Sequence, residues 1–178
     1  MISSSIWSVV FSLIVIFAYI YIRFRKWQFG FAAVLALFHD AMVVLSVFSL
    51  CYGILPFSME IDQAFIAAIL TVIGYSINDT VVVFDRIREY MVEHKRMDTP
   101  NMINSALNST LTRTINTSLT TLIVLVVIFI FGGDSIKGFT FALLVGIGVG
   151  TYSSLFIASP IVYDFAGNTL TEGTEKKD

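Results

Sequence analysis

Charge is scarce in this sequence of 178 residues, because only 13% of them are Asp, Glu, Lys or Arg. A soluble domain has about 25% charged residues. Hydrophobic residues make up 56% of the chain, and the mean hydropathy is +0.82. This composition excludes an ordinary soluble domain and indicates a membrane protein. The net charge of -2, without a polybasic run, argues against a nucleic-acid partner.

Cysteine and histidine are almost absent. Cys51 stands alone, which excludes an internal disulfide, and it forms no metal-binding pattern with His39 or His94. The sequence has no nucleophile elbow, phosphate-binding loop or HExxH motif, and Gly132 and Gly133 are not followed by GK[ST]. We therefore expect neither an enzyme nor a metal or cofactor site.

Five apolar segments are long enough to cross a bilayer, which takes roughly 20 residues. They are residues 6–22, 29–52, 64–84, 115–131 and 139–163. The first lacks the basic n-region of a signal peptide, so we interpret it as a retained span. The sequence predicts an all-α membrane protein with one transmembrane domain, residues 1–167. A polar cytoplasmic segment, 85–110, contains a short helix that continues out of the membrane until Thr99 and Pro100 break or restart it, since Glu89 and Glu93 are four residues apart. A disordered tail, 168–178, follows the last span.

Basic residues lie almost entirely on one side of these spans, with only Lys137 on the other. The positive-inside rule then places the C-terminus in the cytoplasm and the N-terminus in the periplasm. An outer N-terminus without a signal to deliver it suggests a fragment of a longer chain. The basic residues on the cytoplasmic side are Arg23, Arg25, Lys26, Arg86, Arg88, Lys95, Arg96, Lys176 and Lys177.

The third apolar run contains a carboxylate, Asp79, in the sequence TVIGYSINDTVVVFDRIR. A charged group in hydrocarbon costs at least a few kcal/mol, so Asp79 is expected to face protein or a wet cavity. Thr71 and Tyr75 precede it at four-residue intervals, which predicts one polar helix face. Asp79 is then a proton or cation site, or alternatively a packing carboxylate that Asn78 and Thr80 satisfy. The opposite, aliphatic face would meet lipid or a partner helix: Ile69, Val72, Ile73, Ile77 and Val81.

Arg113 lies where the fourth span enters the membrane from the inner side, at a depth comparable to that of Asp79. A carboxylate near an arginine in a partly dry site exchanges its proton as the pair closes or opens. Arginine itself does not release a proton at these pH values. The alternative role for Arg113 is that of an interface anchor.

His39 and Asp40 lie near the centre of the second span. As neighbours on a helix they point about 100° apart, so they are not ideal partners for each other. One of them is expected to face the Asp79 helix, and both a structural and a functional role are open. With Asn78 and Thr80 they form a set of supporting polar groups.

The fifth span carries small residues at intervals of four, a pattern that lets two helix backbones approach closely. Gly148 is expected to widen this seam. Tight helix packing and a substrate or water path along the seam are both open. The small residues are Ala142, Gly146, Gly150, Ser154 and Ala158.

Several sequence blocks resemble the SecF branch of the SecD/SecF family of bacterial protein-export membrane proteins. The resemblance runs from about residue 5 to 163, and its first block is close to diagnostic. It implies a bundle similar to the resistance, nodulation and division (RND) exporters, with Asp79 as the proton-coupling aspartate and Arg113 as its functionally paired arginine. The blocks are GYSINDTVVVFDRIRE (74–89), LFHD (37–40), LTRTINTSLTTL (111–122), FGG (131–133) and GFTFALLVGIGVGTYSSLFIASPIV (138–162).

The resemblance also implies a place in the bacterial cytoplasmic (inner) membrane. There the family uses the proton motive force to assist export of unfolded polypeptides, with SecD, fused or separate, and the SecYEG channel as partners. SecF has six membrane helices and a periplasmic domain after the first, so that helix and domain would be missing here. Two alternatives are a small-molecule exporter of the RND superfamily and a non-conducting scaffold in which Asp79 and Arg113 form a polar clamp. Proton and sodium coupling both remain open.

Overall fold

The computed structural model describes residues 2–94 and 97–165, with side chains from residue 7 onward. Within these residues it has five long helices and no strand, and each helix is long and apolar enough to cross a membrane. The expected all-α fold with five transmembrane helices is confirmed. The helices are α1 (Ile2–Phe24), α2 (Trp27–Cys51), α3 (Gln63–Glu93), α4 (Thr99–Phe131) and α5 (Asp134–Ser153), the last continuing through a π-helical turn (Ser154–Ala158) to residue 165.

The helices extend beyond the apolar runs, most clearly between the third and fourth spans. α3 continues to Glu93 and α4 begins at Thr99, so most of the polar segment 85–110 is helical. Asp98 caps α4 by accepting a hydrogen bond from the backbone N–H of Asn101 at 3.4 Å, and proline occupies the first turn. Lys95, Arg96, Lys176, Lys177 and the expected disordered tail, 168–178, lie outside the described residues.

Polar contacts join the helices at the end where α1 and the third span finish. Arg23 on α1 forms an ion pair of 2.9 Å with Asp85 on α3. One residue further on, the Nε of Arg86 donates to the hydroxyl of Ser109 on α4 at 2.8 Å. These contacts gather the basic residues of α1 and α3 at one end of the bundle, opposite Lys137 near the start of α5.

Three helices form the centre of the bundle and two lie at its edge. The apolar windows of α2, α3 and α5 are 39%, 44% and 50% buried, against 11% for α1 and 17% for α4. Apolar burial drives little association in lipid, so close packing of small residues takes its place. α5 supplies those residues to α2 and α3, which places the functional groups of α3 in the interior.

The small residues that recur every four positions along the fifth span are all buried, but Gly148 does not pack against another helix. A Cβ atom at Gly146 would overlap the side chain of Val72, and one at Gly150 would lie 2.9 Å from the Cβ of Ser76. Gly148 has nothing within 4 Å of such an atom and is exposed. The expectation that Gly148 widens the seam is therefore wrong, because two residues of helix rotate it about 200° from Gly146. The buried set is Ala142, Gly146, Gly150, Ser154 and Ala158.

The buried apolar side chains form two clusters that a belt of polar groups separates. One cluster contains Phe29, Phe84 and Val162, and the other contains Phe48, Phe65 and Ile147. Each of α3, α4 and α5 changes from one cluster to the other across this belt. We call this belt of polar groups the polar layer. Its members are Asp40, Ser76, Asp79, Thr80, Thr114, Ser118, Thr151, Ser153 and Ser154.

The π-helical turn lies directly after the polar layer on α5. Pro160 has no N–H to donate to the preceding turn, which interrupts the regular hydrogen bonding of the helix. The hydroxyl of Ser159 donates instead to the carbonyl of Ser154, five residues earlier, at 3.1 Å. Single π turns of this kind are frequent at functional sites.

Candidate functional site

Asp79 lies at the junction of α3, α4 and α5 and is 2% exposed. The hydroxyl of Ser118 on α4 donates to its Oδ2 atom at 3.3 Å, and Thr151 on α5 donates to Ser118 at 2.6 Å. An ionised carboxylate accepts about four hydrogen bonds. A single hydroxyl donor therefore leaves most of this capacity open to a proton, a water molecule or a small cation.

Arg113 lies near Asp79 without touching it. Its charge acts electrostatically on the carboxylate, but within the described residues no ion pair of 4 Å or less joins the two groups. The arginine side chain is exposed at the surface of α4. This arrangement fits a pair that is open, and it fits an interface anchor equally well.

The polar residues of α3 divide between two faces. Thr71 and Asn78 are exposed, and Tyr75 is half-buried with its hydroxyl 3.2 Å from the Oγ1 of Thr121. Asp79 lies instead with the buried side chains of the helix. The expectation of one shared face is wrong because each four-residue step advances about 40° around the helix, which places Asp79 about 80° from Thr71.

Thr80 and Asn78 contribute nothing directly to Asp79. Thr80 is buried, but its hydroxyl donates to the backbone carbonyl of Ser76 at 3.0 Å. Asn78 points out of the bundle. The contact with Ser118 thus replaces the local capping that the packing interpretation of Asp79 assumed.

Asp40 is a second buried carboxylate, with no exposed surface. Its Oδ2 atom accepts hydrogen bonds from Ser76 on α3 at 2.7 Å and from Ser153 on α5 at 2.8 Å. The Nδ1 atom of His39 lies 3.3 Å from its Oδ1 atom. The two neighbours thus meet, although at a distance longer than the 2.7–2.9 Å typical of a charged hydrogen bond.

Sequence reasoning missed both hydroxyl groups that hold Asp40. Ser153 stands beside the small-residue seam of α5, and Gly150 lets that helix approach α3, since a Cβ there would lie 2.9 Å from the Cβ of Ser76. Ser76 is three residues before Asp79 and shares its helix face. Serine next to a small-residue seam was the available signal.

Three hydroxyl residues of α4 are buried at intervals of four: Thr110, Thr114 and Ser118. Ser118 donates to Asp79, and Thr110 donates to its own helix at Leu107. The hydroxyl of Thr114 is buried and has no hydrogen-bond partner within the described residues. Leaving such a group unpaired costs about 1–3 kcal/mol, so a hydrogen-bond partner at this position would be favourable.

The oxygen groups around the two aspartates suit a proton or a hard monovalent cation better than a transition metal. Among the residues that the structure describes, no group of three or more His, Cys, Asp or Glu side chains is placed to hold a metal ion. The buried carboxylates of the polar layer are chemically able to accept and release a small cation.

Comparison with solved structures finds a close match in fold. A crystal structure of SecDF in its Super-membrane-facing form matches with a TM-score of 0.82 and 39% identity, covering 96% of this chain and 22% of that one.

Comparison of sequences agrees with that result. The SecF protein translocase subunit of Rhodothermus marinus is 58% identical over 160 residues, which are 90% of this chain and 52% of the relative. The corresponding subunit of Haemophilus influenzae is 46% identical over 160 residues, or 90% of this chain and 47% of the relative. The chain thus spans about half the length of these relatives.

The family model for the C-terminal part of the protein export membrane proteins SecD and SecF matches residues 1–168. It includes both buried aspartates, and the resemblance noted from the sequence blocks is confirmed. The chain is a multi-pass membrane protein that belongs to the SecD/SecF C-terminal family.

Proposed function

We propose that this chain is the membrane-embedded part of a Sec protein-export subunit, in which Asp79 couples the proton motive force to the export of unfolded polypeptides. The observation that carries this proposal is the setting of Asp79, which is buried among three helices with one hydroxyl donor. A titratable group held in this way is a functional site by default in a membrane span. The relatives from Rhodothermus marinus and Haemophilus influenzae are protein translocase subunits, which indicates the class of process.

The coupling step alternates two packings of the bundle. The ionised carboxylate of Asp79 attracts the guanidinium of Arg113, and protonation removes that attraction. Ser118 links Asp79 to Thr151, so a shift of α3 toward or away from Arg113 reaches α5 through two hydrogen bonds. A proton enters from the outer side and leaves to the inner side, and each exchange moves the helices between the two packings.

The basic residues give the proposed orientation in the cytoplasmic membrane. Arg23, Arg86 and Arg88 lie at the end of the bundle where α1 finishes and the third span leaves the apolar zone, and Lys137 lies at the other end. The positive-inside rule makes the first of these ends cytoplasmic. The N-terminus of the chain is then periplasmic.

A partly polar surface on α3 and α4 supports a second membrane polypeptide as a partner. The amide side chains of Asn78 and Asn116 are exposed, and Thr71 and Gly74 extend this surface along α3. Amide groups facing lipid are costly, so a partner helix that hydrogen-bonds to them is favoured. SecD is the proposed partner because the solved structure that this chain resembles is a SecDF chain, and the SecYEG channel and an unfolded polypeptide complete the assembly.

A scaffold role is the second candidate, and the hydrogen bonds that join Asp79 to Ser118 and Ser118 to Thr151 across three helices favour it, although Asp79 and Arg113 do not form the expected clamp within the described residues. In that case Asp79, Ser118 and Thr151 serve only to hold three helices together. A scaffold tolerates Asp79→Glu and acts independently of pH. A proton coupler is sensitive to both changes.

The test measures polypeptide translocation into inverted membrane vesicles that contain the full-length protein with its partners, with and without a proton gradient. Asp79→Asn is expected to remove the stimulation by the gradient while the protein remains inserted in the membrane. Asp134→Asn is the matched control, because Asp134 is an exposed aspartate whose ion pair within the described part of the chain is with Lys137, three residues away. Stimulation that survives in Asp79→Asn contradicts the proposal and supports the scaffold.

A further inference from the structure

We propose that Asp40 and His39 form a second proton-binding site in the membrane, in which His39 delivers protons to the buried carboxylate of Asp40. This inference rests on the proposed function, because it adds a second carboxylate to the same proton-coupled bundle. It starts from the burial of Asp40, which has no exposed surface although it lies near the middle of α2.

No fixed positive charge is available to balance Asp40. Lysine and arginine are absent from α2 as a whole and from the parts of its packing partners that reach this depth, residues 7–22, 63–85 and 138–165. A buried carboxylate without a positively charged partner is either protonated and therefore neutral, or paired with a group that becomes positively charged by binding a proton. His39 is the only basic side chain within these ranges and α2.

The other ionisable groups near Asp40 do not supply a positive charge that would compensate its carboxylate. On α3 the ionisable side chain nearest to Ser76 and facing the interior is Asp79, whose charge has the same sign as that of Asp40. Tyr19 on α1 and Tyr152 on α5 are exposed on the outside of the bundle. Asp40 therefore exchanges its proton with His39 in the presence of one like-charged neighbour.

The two oxygens of the Asp40 carboxylate have different neighbours. Both serine hydroxyls donate to Oδ2, so that oxygen has its hydrogen bonds filled by Ser76 and Ser153. Oδ1 faces the Nδ1 atom of His39 at 3.3 Å. The proton thus has one defined place on the carboxylate, at the oxygen next to the imidazole.

His39 joins this buried oxygen to the surface of the bundle. Its side chain is 39% exposed, whereas that of Asp40 is 0% exposed. An imidazole titrates in the physiological range and has two nitrogens, so it accepts a proton at one and releases another from the other. In the transfer, the imidazolium N–H bond at Nδ1 breaks and an O–H bond forms at Oδ1, which leaves a neutral imidazole with its proton on Nε2 and a neutral carboxylic acid.

The ligand set favours a proton over sodium at Asp40. Hard cations bind oxygen ligands, and here a ring nitrogen takes the position beside Oδ1. Both serine hydroxyls direct their hydrogens toward the carboxylate, whereas a bound cation would need their lone pairs. We therefore assign the site to a proton.

The experiment records the infrared C=O band of protonated carboxyl groups as a function of pH, using the full-length protein in lipid vesicles with its partner. Asp40→Asn and Asp79→Asn identify the two membrane bands, and each is expected to remove one. His39→Gln keeps a hydrogen-bond donor near Oδ1 and tests the site even where Asp40→Asn fails to fold. His94→Gln is the matched control, since His94 lies at the C-terminal end of α3 and stacks on Tyr90.

The proposal predicts that His39→Gln shifts the titration midpoint of the Asp40 band and that His94→Gln does not. A band from Asp40 that is constant across pH, or that titrates unchanged in His39→Gln, overturns it. Failure of the proposed function appears separately, as proton-stimulated translocation that survives in Asp79→Asn. Replacing protons by sodium at constant pH is expected to leave the Asp40 band unaltered, and its loss on sodium addition overturns the assignment to a proton.

Discussion

Ser118 donates a hydrogen bond to Asp79 across the interface of α4 and α3, with the two oxygens 3.3 Å apart. This bond is the one direct side-chain contact of Asp79 among the hydrogen bonds of the described residues. It connects the carboxylate to Thr151 and hence to α5. Changing the charge of Asp79 therefore acts on three helices at once.

Ser118→Ala is expected to reduce proton flux through vesicles by about tenfold, equivalent to about 1.4 kcal/mol. The carboxylate loses its donor, and a buried polar group without a partner costs about 1–3 kcal/mol, or more when it is charged. Thr120→Ala is the control, because the Thr120 hydroxyl is exposed and bonds only to its own helix. Equal flux in Ser118→Ala and the native protein would show that the contact has no role in coupling.

Gly150→Ala is expected to lower thermal stability in detergent by about 1–3 kcal/mol, the usual range for overpacking. The new Cβ would lie 2.9 Å from the Cβ of Ser76 and displace the hydroxyl that holds Asp40. Gly148→Ala is the matched change on the same helix, where the space is open. We expect it to be neutral or to stabilise by up to about 1 kcal/mol. Equal stability of the two variants would contradict the packing of α5 described here.

The substitution Thr114→Val is expected to have opposite effects on thermal stability and on proton flux. Removing a buried hydroxyl that has no partner within the described residues is expected to raise thermal stability by about 1 kcal/mol. We expect the same change to reduce proton flux, because it removes a polar position on the side of Asp79 that faces the start of α4, which the proposed orientation makes the inner side. Thr112→Val, at an exposed position, is the control. Higher stability with native flux would mean that the Thr114 hydroxyl takes no part in proton movement.

The N-terminal cap of α4 is expected to depend on pH. Hydrogen bonds from Asn101 hold the pKa of Asp98 below its ordinary value, since they stabilise the charged form. The cap therefore contributes its full stability above the ordinary pKa, about 3.9, and loses it as pH falls through the lowered value. Hydrogen exchange at Asn101 and Met102, corrected for intrinsic rates, measures this loss. Protection that is constant with pH, or a pH dependence that persists in Asp98→Asn, contradicts it.

The sequence alone was sufficient for the class of fold, because long apolar runs leave few alternatives to membrane helices. It also pointed to Asp79, since a carboxylate in such a run is rare and costly. The continuation of the third helix out of the membrane was predicted as well, from the four-residue spacing of Glu89 and Glu93, and α3 does extend to Glu93.

The partners of the buried groups could not be read from the sequence. Which helix face is interior depends on the tilt and rotation of five helices, and the drift of about 80° between Thr71 and Asp79 placed the two residues on different faces. Ser118 and Ser153 are ordinary hydroxyl residues in spans rich in Ser and Thr. Only the packing of α4 and α5 against α3 and α2 brings them to Asp79 and Asp40.

Proton uptake by vesicles that contain the full-length protein and its partner, driven by an imposed pH gradient, tests the central role of Asp79 most directly. Asp79→Asn is compared with the native protein and with the exposed control Asp134→Asn, at equal amounts of inserted protein. The account predicts that flux falls at least about tenfold in Asp79→Asn, a change of about 1.4 kcal/mol, and is unchanged in Asp134→Asn. Native flux in Asp79→Asn would contradict the account and leave Asp79 as a structural contact.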